Sequence, residues 1–301
     1  MRQMGGAGRI AYRRLASPLH AARAPVAACY GAALATAALI VEHPLLLVAL
    51  LLAVLAAGTA AGVGPQLRRA ARTMALPILA LTVIVNVLVS REGLTVFARL
   101  GDWGVLGQVN LTVEAVVYGL VFGLRMLVVT LACMLVICAA NPDELLLAFR
   151  RISPRSALTA TLTTRLIPVL GEDARRLAEA QRCRPDRGAR GARGRLAILR
   201  ATVGGALERS LDVAAVLEMR GYGSAGRAPA AGRASSRHDL SFALAAAGLL
   251  AVSAVVAGGD LAPFHAYPLI SVALTPATFM IAAVLLGLAL VPFLDRRGIE
   301  P

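Results

Sequence analysis

The chain of 301 residues contains no lysine, so all 31 of its basic residues are arginine. That absence excludes a P-loop lysine, a Schiff-base lysine and a lysine general base, and with them ATP hydrolysis by a Walker mechanism in this chain. Charge is scarce as well: 16% of residues are charged against 58% hydrophobic, and the mean hydropathy is +0.71. This lies outside the globular range and predicts a membrane protein. Cys29, Cys133, Cys138 and Cys183 form no C-x-x-C pair and have no nearby histidine, so they read as small apolar residues. His20, His43, His238 and His265 are isolated at the ends of apolar runs, as interfacial residues are. No H-E-x-x-H, no G-x-S-x-G and no dinucleotide-binding glycine loop occurs. No catalytic residue, metal or cofactor is therefore expected.

A net charge of +14 and a pI near 11.2 ordinarily suggest nucleic acid as a partner. Here the charge is confined to short stretches between apolar runs, so the expected partner is the lipid bilayer and not nucleic acid. Six runs are apolar enough to cross a hydrocarbon core of about 30 Å: 24–41, 44–64, 74–89, 116–140, 240–257 and 269–294. The first, preceded by arginines, resembles a signal peptide, but a second run follows almost at once and it is read as a retained helix. The expected fold is all-α and integral to the membrane, with about six transmembrane helices.

Orientation follows from the arginines, which stay on the cytoplasmic side. Five precede the first span, Arg68, Arg69 and Arg72 follow the second, and Arg296 and Arg297 follow the sixth, making ten on one side. The other side holds Glu42 and His43, a loop with Arg91, Arg99 and Trp103, and a loop with Asp260, His265 and Tyr267. This predicts a multi-pass protein of the cell membrane with both termini in the cytoplasm. The divisions are a cytoplasmic arm (1–23), four spans (24–140), a cytoplasmic segment (141–239), two spans (240–294) and a cytoplasmic tail (295–301).

The segment 141–239 carries 18 of the 31 arginines together with ten carboxylates, a composition of paired charge and not of a basic tail. Asn141 and Pro142 start a short helix over 143–151, which Ser153-Pro154 breaks. From 156 to about 184, Leu158, Leu162, Leu166, Val169 and Leu170 recur at helical spacing before a polar far end. A second helix places Leu196, Leu199, Val203, Leu207, Leu211, Ala214 and Leu217 on one face and stops at Gly221. Both long helices thus end on an arginine beside a helix breaker, Arg184 before Pro185 and Arg220 before Gly221. One such arginine is an ordinary C-terminal cation; two at the ends of paired helices look like a docking device. Within the spans, Arg125 and Asn86 are the conspicuous polar residues, and Arg125 is expected to face inward. Glu114 is expected at the interface. Gly58/Gly62 and Gly119/Gly123 have the G-x-x-x-G spacing of close helix approach.

Taken together, the motifs resemble a known family. They are Ser17-Pro18-Leu19-His20, Asn141-Pro142-Asp143-Glu144-Leu145-Leu146, Thr164-Arg165-Leu166-Ile167-Pro168 with Glu172, Ala180-Gln181-Arg182, and Leu217-Glu218-Met219-Arg220-Gly221-Tyr222-Gly223. In this order they resemble the T component (EcfT, related to the cobalt-transport permease) of energy-coupling factor, or ECF, transporters. The family's Ala-Arg-Ser or Ala-Arg-Gly triplets match Cys183-Arg184-Pro185 and Met219-Arg220-Gly221 here, so both arginines are kept and the alanines are replaced.

The resemblance implies a non-catalytic subunit that joins two cytoplasmic ABC-type ATPase subunits to a substrate-binding membrane protein, the S component, for uptake of a vitamin or metal ion. It implies ATPase-coupling roles for Cys183, Arg184, Pro185, Met219, Arg220 and Gly221, supported by Arg165, Pro168, Glu172, Gln181 and Glu218. The segment 141–239, between the fourth and fifth spans, becomes the coupling-helix region. Two other readings stand beside it. A self-contained secondary carrier should show intramembrane carboxylates and symmetric halves, whereas the spans lack a central acid and split four plus two. An intramembrane enzyme should show a nucleophile, histidine cluster or carboxylate pair at membrane depth, and none is evident.

Overall fold

The computed structural model describes residues 15–89, 96–102, 108–149, 153–183, 191–222, 236–259, 262–265, 271–272 and 275–295. Proline and small polar residues set where its helices begin. Pro18 opens α1 (Pro18–Ala21) behind the N-cap Ser17, and Pro25 sits in the first turn of α2 (Ala24–Ile40). Pro44 opens α3 (Pro44–Ala60), and Pro65 lies in the first turn of α4 (Gly64–Ala70). In each case the missing N–H is one the helix start leaves unpaired anyway. Gly62, at φ +78°, makes the left-handed turn between α3 and α4.

From α4 the chain continues through a π-helical turn (Ala71–Ala75) into α5 (Leu76–Val89). This corrects the expected third span: the helix starts ten residues earlier than 74, and Arg68, Arg69 and Arg72 lie on its first turns instead of in a loop. The strands β1 (Val96–Asp102) and β2 (Gln108–Thr112) pair antiparallel, an element that the sequence reading did not contain. Thr112 then caps α6 (Val113–Ala139) by accepting the Ala115 N–H. After α7 (Pro142–Phe149), α8 (Pro154–Cys183) and α9 (Ala192–Met219), the chain returns in α10 (Arg237–Gly258). The two-residue strands β3 (Phe264–His265) and β4 (Ser271–Val272) pair antiparallel before α11 (Pro276–Leu290), which ends in a 3₁₀ turn, Val291–Phe293. Within the sixth apolar run α11 therefore starts at Pro276, behind the extended Thr275, with proline in the first helical position.

Among the described residues, four helical stretches are long and apolar enough to cross a membrane: Gly64–Val89, Val113–Ala139, Arg237–Gly258 and Pro276–Phe293. The apolar helices α2 and α3 have 17 residues each, roughly 25 Å at about 1.5 Å per residue. The protein is an all-α membrane protein with two short ribbons between helices.

The chain divides into two compact units, Met1–Leu145 with Ser235–Pro301, and Leu146–Ala234. In the first, α2 packs against α6 and α10, α3 against α6 and α11, and α5 against α6. Small residues allow the close approach. A Cβ on Gly119 would lie 3.0 Å from the Asn86 Cβ and 3.1 Å from the Val83 Cα, and one on Gly123 would lie 3.3 Å from the Leu79 carbonyl. The Gly119/Gly123 pair is thus a true helix-packing motif. Gly58/Gly62 is not: Gly58 makes room for the Leu67 side chain and Gly62 serves the turn. The buried Tyr30 on α2 meets Phe242 of α10 edge-on at 5.2 Å and donates its hydroxyl to the Ala289 carbonyl of α11 at 2.7 Å. Phe242 in turn meets Phe293 at 5.2 Å.

Candidate functional site

The second unit is built on α8 and α9, which pack together. Along α9 the sheltered positions are Gly194, Ile198, Thr202, Ala206, Arg209, Val213 and Leu217, a helical repeat of mostly small or polar residues. Asp173 on α8 accepts a hydrogen bond from the Arg209 guanidinium at 3.0 Å across this seam. The apolar stripe expected from the sequence lies elsewhere: Leu196, Leu199, Val203, Leu207 and Leu211 are 59% to 66% exposed. Leu217, assigned to that stripe from spacing alone, belongs to the sheltered face. A helix-length row of leucine and valine left open among the described residues marks a surface of the kind used for association.

The end of α9 is fixed by its backbone. Gly221 adopts φ +69°, its N–H donates to the Glu218 carbonyl at 2.9 Å, and the Tyr222 N–H donates to the Leu217 carbonyl at 2.9 Å. This is a Schellman cap, and it explains the Arg-Gly-Tyr sequence: only glycine takes the left-handed position without a Cβ clash. Arg220 is the C-cap residue, exposed, and Met219 before it is 80% exposed. On α8, Cys183 is the last helical residue and is exposed, while Arg184 and Pro185 lie outside the described residues. Arg165, Pro168 and Glu172 are exposed along α8, Gln181 is half-buried, and Glu218 is exposed on α9. Pro168 sits inside α8, so the Thr164 carbonyl has no backbone donor at that position. Among the described residues no group of His, Cys, Asp or Glu is placed to hold a metal ion.

The sequence profile of the CbiQ cobalt transport protein family matches residues 16–229. The chain belongs to that family. No curated protein matches it. The family match takes in α1 through α9, including both helices of the second unit, and leaves α10 and α11 beyond it. Family and fold together make the protein a membrane transport component of the cobalt-transport permease type.

In the membrane unit of this cobalt-transport family member, Arg125 is 12 residues into α6, yet its guanidinium donates to the Val41 carbonyl at the end of α2, 3.0 Å away, and lies 3.9 Å from Glu42. With its side chain only 17% exposed, it neutralises the unpaired carbonyl end of α2. Asn86 donates to the Thr82 carbonyl one turn back on α5, and its Cβ packs at Gly119. Glu114, expected at an interface, is 1% exposed in the first turn of α6, where free N–H groups favour a carboxylate.

Sequence reasoning missed a cluster at the opposite end of α2. Asp239 accepts the Arg23 N–H at 2.7 Å and the Ser236 N–H at 2.9 Å, and Glu144 accepts the Ala24 N–H at 3.2 Å. The Ser236-x-x-Asp239 spacing is a capping box and was the available signal.

Proposed function

We propose that the chain is the T component of an ECF-type ABC importer, the membrane subunit that passes the motion of two cytoplasmic ATPases to a substrate-binding S component. The observation that carries the reading is the end of α9: an arginine held on a Schellman cap beside an exposed methionine, on a helix whose apolar face is open. Arg220, and by its matching triplet Arg184, would enter acidic grooves on the two ATPases, where a planar guanidinium pairs a carboxylate through two parallel hydrogen bonds. By their places in the two triplets, Cys183, Pro185, Met219 and Gly221 would take part in the coupling, with Arg165, Pro168, Glu172, Gln181 and Glu218 in support. The absence of lysine supports a subunit that takes its energy from partners. Both termini and residues 141–239 lie in the cytoplasm in this reading, and six helices cross the membrane.

The substrate is a vitamin or a metal ion such as cobalt, bound by the S component. The test is reconstitution. The purified chain alone in liposomes neither hydrolyses ATP nor accumulates cobalt or vitamin, and both activities appear when the ATPases and an S component are added. Uptake driven by the lone chain would instead establish a self-contained carrier.

A further inference from the structure

Arg68, Arg69 and Arg72 occupy the first turns of the helix Gly64–Val89 and are exposed, whereas Leu67, Ala70 and Ala75 of the same turns are buried. The three guanidinium groups therefore leave on the outward side. Arg72 lies three residues from Arg69 and four from Arg68, the spacings of helical neighbours. They form no ion pair or side-chain hydrogen bond among the described residues.

No carboxylate among the described residues forms an ion pair with them; beyond the near end of α6, Glu144 accepts the Ala24 N–H. The sequence has no carboxylate between Glu42 and Glu92, so α3, α4, the π-helical turn and α5 are free of acids. The one carboxylate of α6, Glu114, is at its far end: Gly123 faces Leu79 and Gly119 faces Asn86, so residue numbers on α6 fall as those on α5 rise. The outward side of the same helix then continues in exposed apolar residues, Leu76, Leu81, Ile84, Val85 and Leu88. A row of arginines leading directly into an uncovered apolar face matches the cross-section of one lipid, phosphate first and acyl chains after. It matches neither a soluble anion, which has no use for the apolar stripe, nor an acidic protein surface, which would leave that stripe in the bilayer unused.

We propose that Arg68, Arg69 and Arg72 form a binding surface for the headgroup of an anionic phospholipid whose chains lie along α5. A positive charge at a membrane surface, arginine or lysine, strengthens anionic-lipid association by about fivefold, so three give on the order of 100-fold.

The test is native mass spectrometry of the detergent-solubilised full chain titrated with phosphatidylglycerol and, separately, phosphatidylcholine. The wild type should bind phosphatidylglycerol more tightly. The R68Q/R69Q/R72Q variant should lose roughly 100-fold of that affinity with phosphatidylcholine binding unchanged, and R68K/R69K/R72K should retain most of it. A control, R193Q/R195Q/R200Q on α9, should bind as the wild type does. If the triple glutamine chain does not fold, each single variant should lose about fivefold. The proposal is overturned if the two lipids bind equally or if the glutamine variants keep full affinity. It is equally overturned if the α9 control weakens as much, if inorganic phosphate displaces the lipid, or if the variants lose an acidic protein partner while keeping the lipid.

Discussion

Arg23 and Asp239, 216 positions apart, are joined twice: the Arg23 N–H donates to one Asp239 oxygen at 2.7 Å, and its guanidinium Nε lies 3.1 Å from the other. The same carboxylate closes the capping box of α10, so the first helix after the N-terminal arm and the helix after the second unit start from one acid.

Asp239→Ala removes a helix cap, worth about 1 kcal/mol, and a charge-assisted pair. It should lower stability by roughly 2–4 kcal/mol in mixed-micelle unfolding titrations, with Asp239→Asn costing less because one acceptor survives. Unchanged stability in both would show that this junction does not hold the bundle.

Glycines in two places should respond with opposite sign. Gly119→Val sets branched carbon against the backbone of Val83 and should separate α5 from α6, whereas Gly204, in the middle of α9, has nothing within 4 Å of an added Cβ. Gly204→Ala should therefore raise stability by about 0.5–1 kcal/mol, because alanine loses less backbone freedom on folding. Thermal unfolding of the two variants separates packing from propensity.

Topology is checked by labelling. Single cysteines in place of Ser90 and Ser235, in an otherwise cysteine-free chain, should react with an impermeant thiol reagent from opposite faces of the membrane. Reaction from the same face would contradict the six-span arrangement.

Much of the fold was legible because apolar runs and helix-starting prolines are local signals; Pro44 and Pro142 both begin helices, whereas the start at Pro276 was hidden inside an apolar run. The end of α9 was legible for the same reason, since Gly221 announces a left-handed cap. What the sequence hid depends on neighbours far along the chain. Periodicity found the leucines of α9 but not which side meets α8, because the seam is lined by residues such as Gly194, Thr202 and Ala206 that carry little hydrophobic signal. Arg68 and Arg72 looked like loop charges because polar residues break an apolar run in a hydropathy profile, although nothing in their backbone breaks the helix.

The most direct measurement of coupling through Arg184 and Arg220 is retention of a coexpressed pair of ABC-type ATPases on the tagged, detergent-extracted chain. Breaking one half of a buried charge pair costs on the order of 2–5 kcal/mol, so Arg184→Ala and Arg220→Ala should each weaken retention by at least about 30-fold, and the double variant further. Membrane insertion should be unaffected, and Arg220→Lys should recover only part because lysine lacks the planar fork. Arg190→Ala, outside the two triplets, should change retention by no more than about fivefold. Full retention by both alanine variants would contradict the account, and loss with Arg190→Ala alone would move the docking site into the arginine-rich turn.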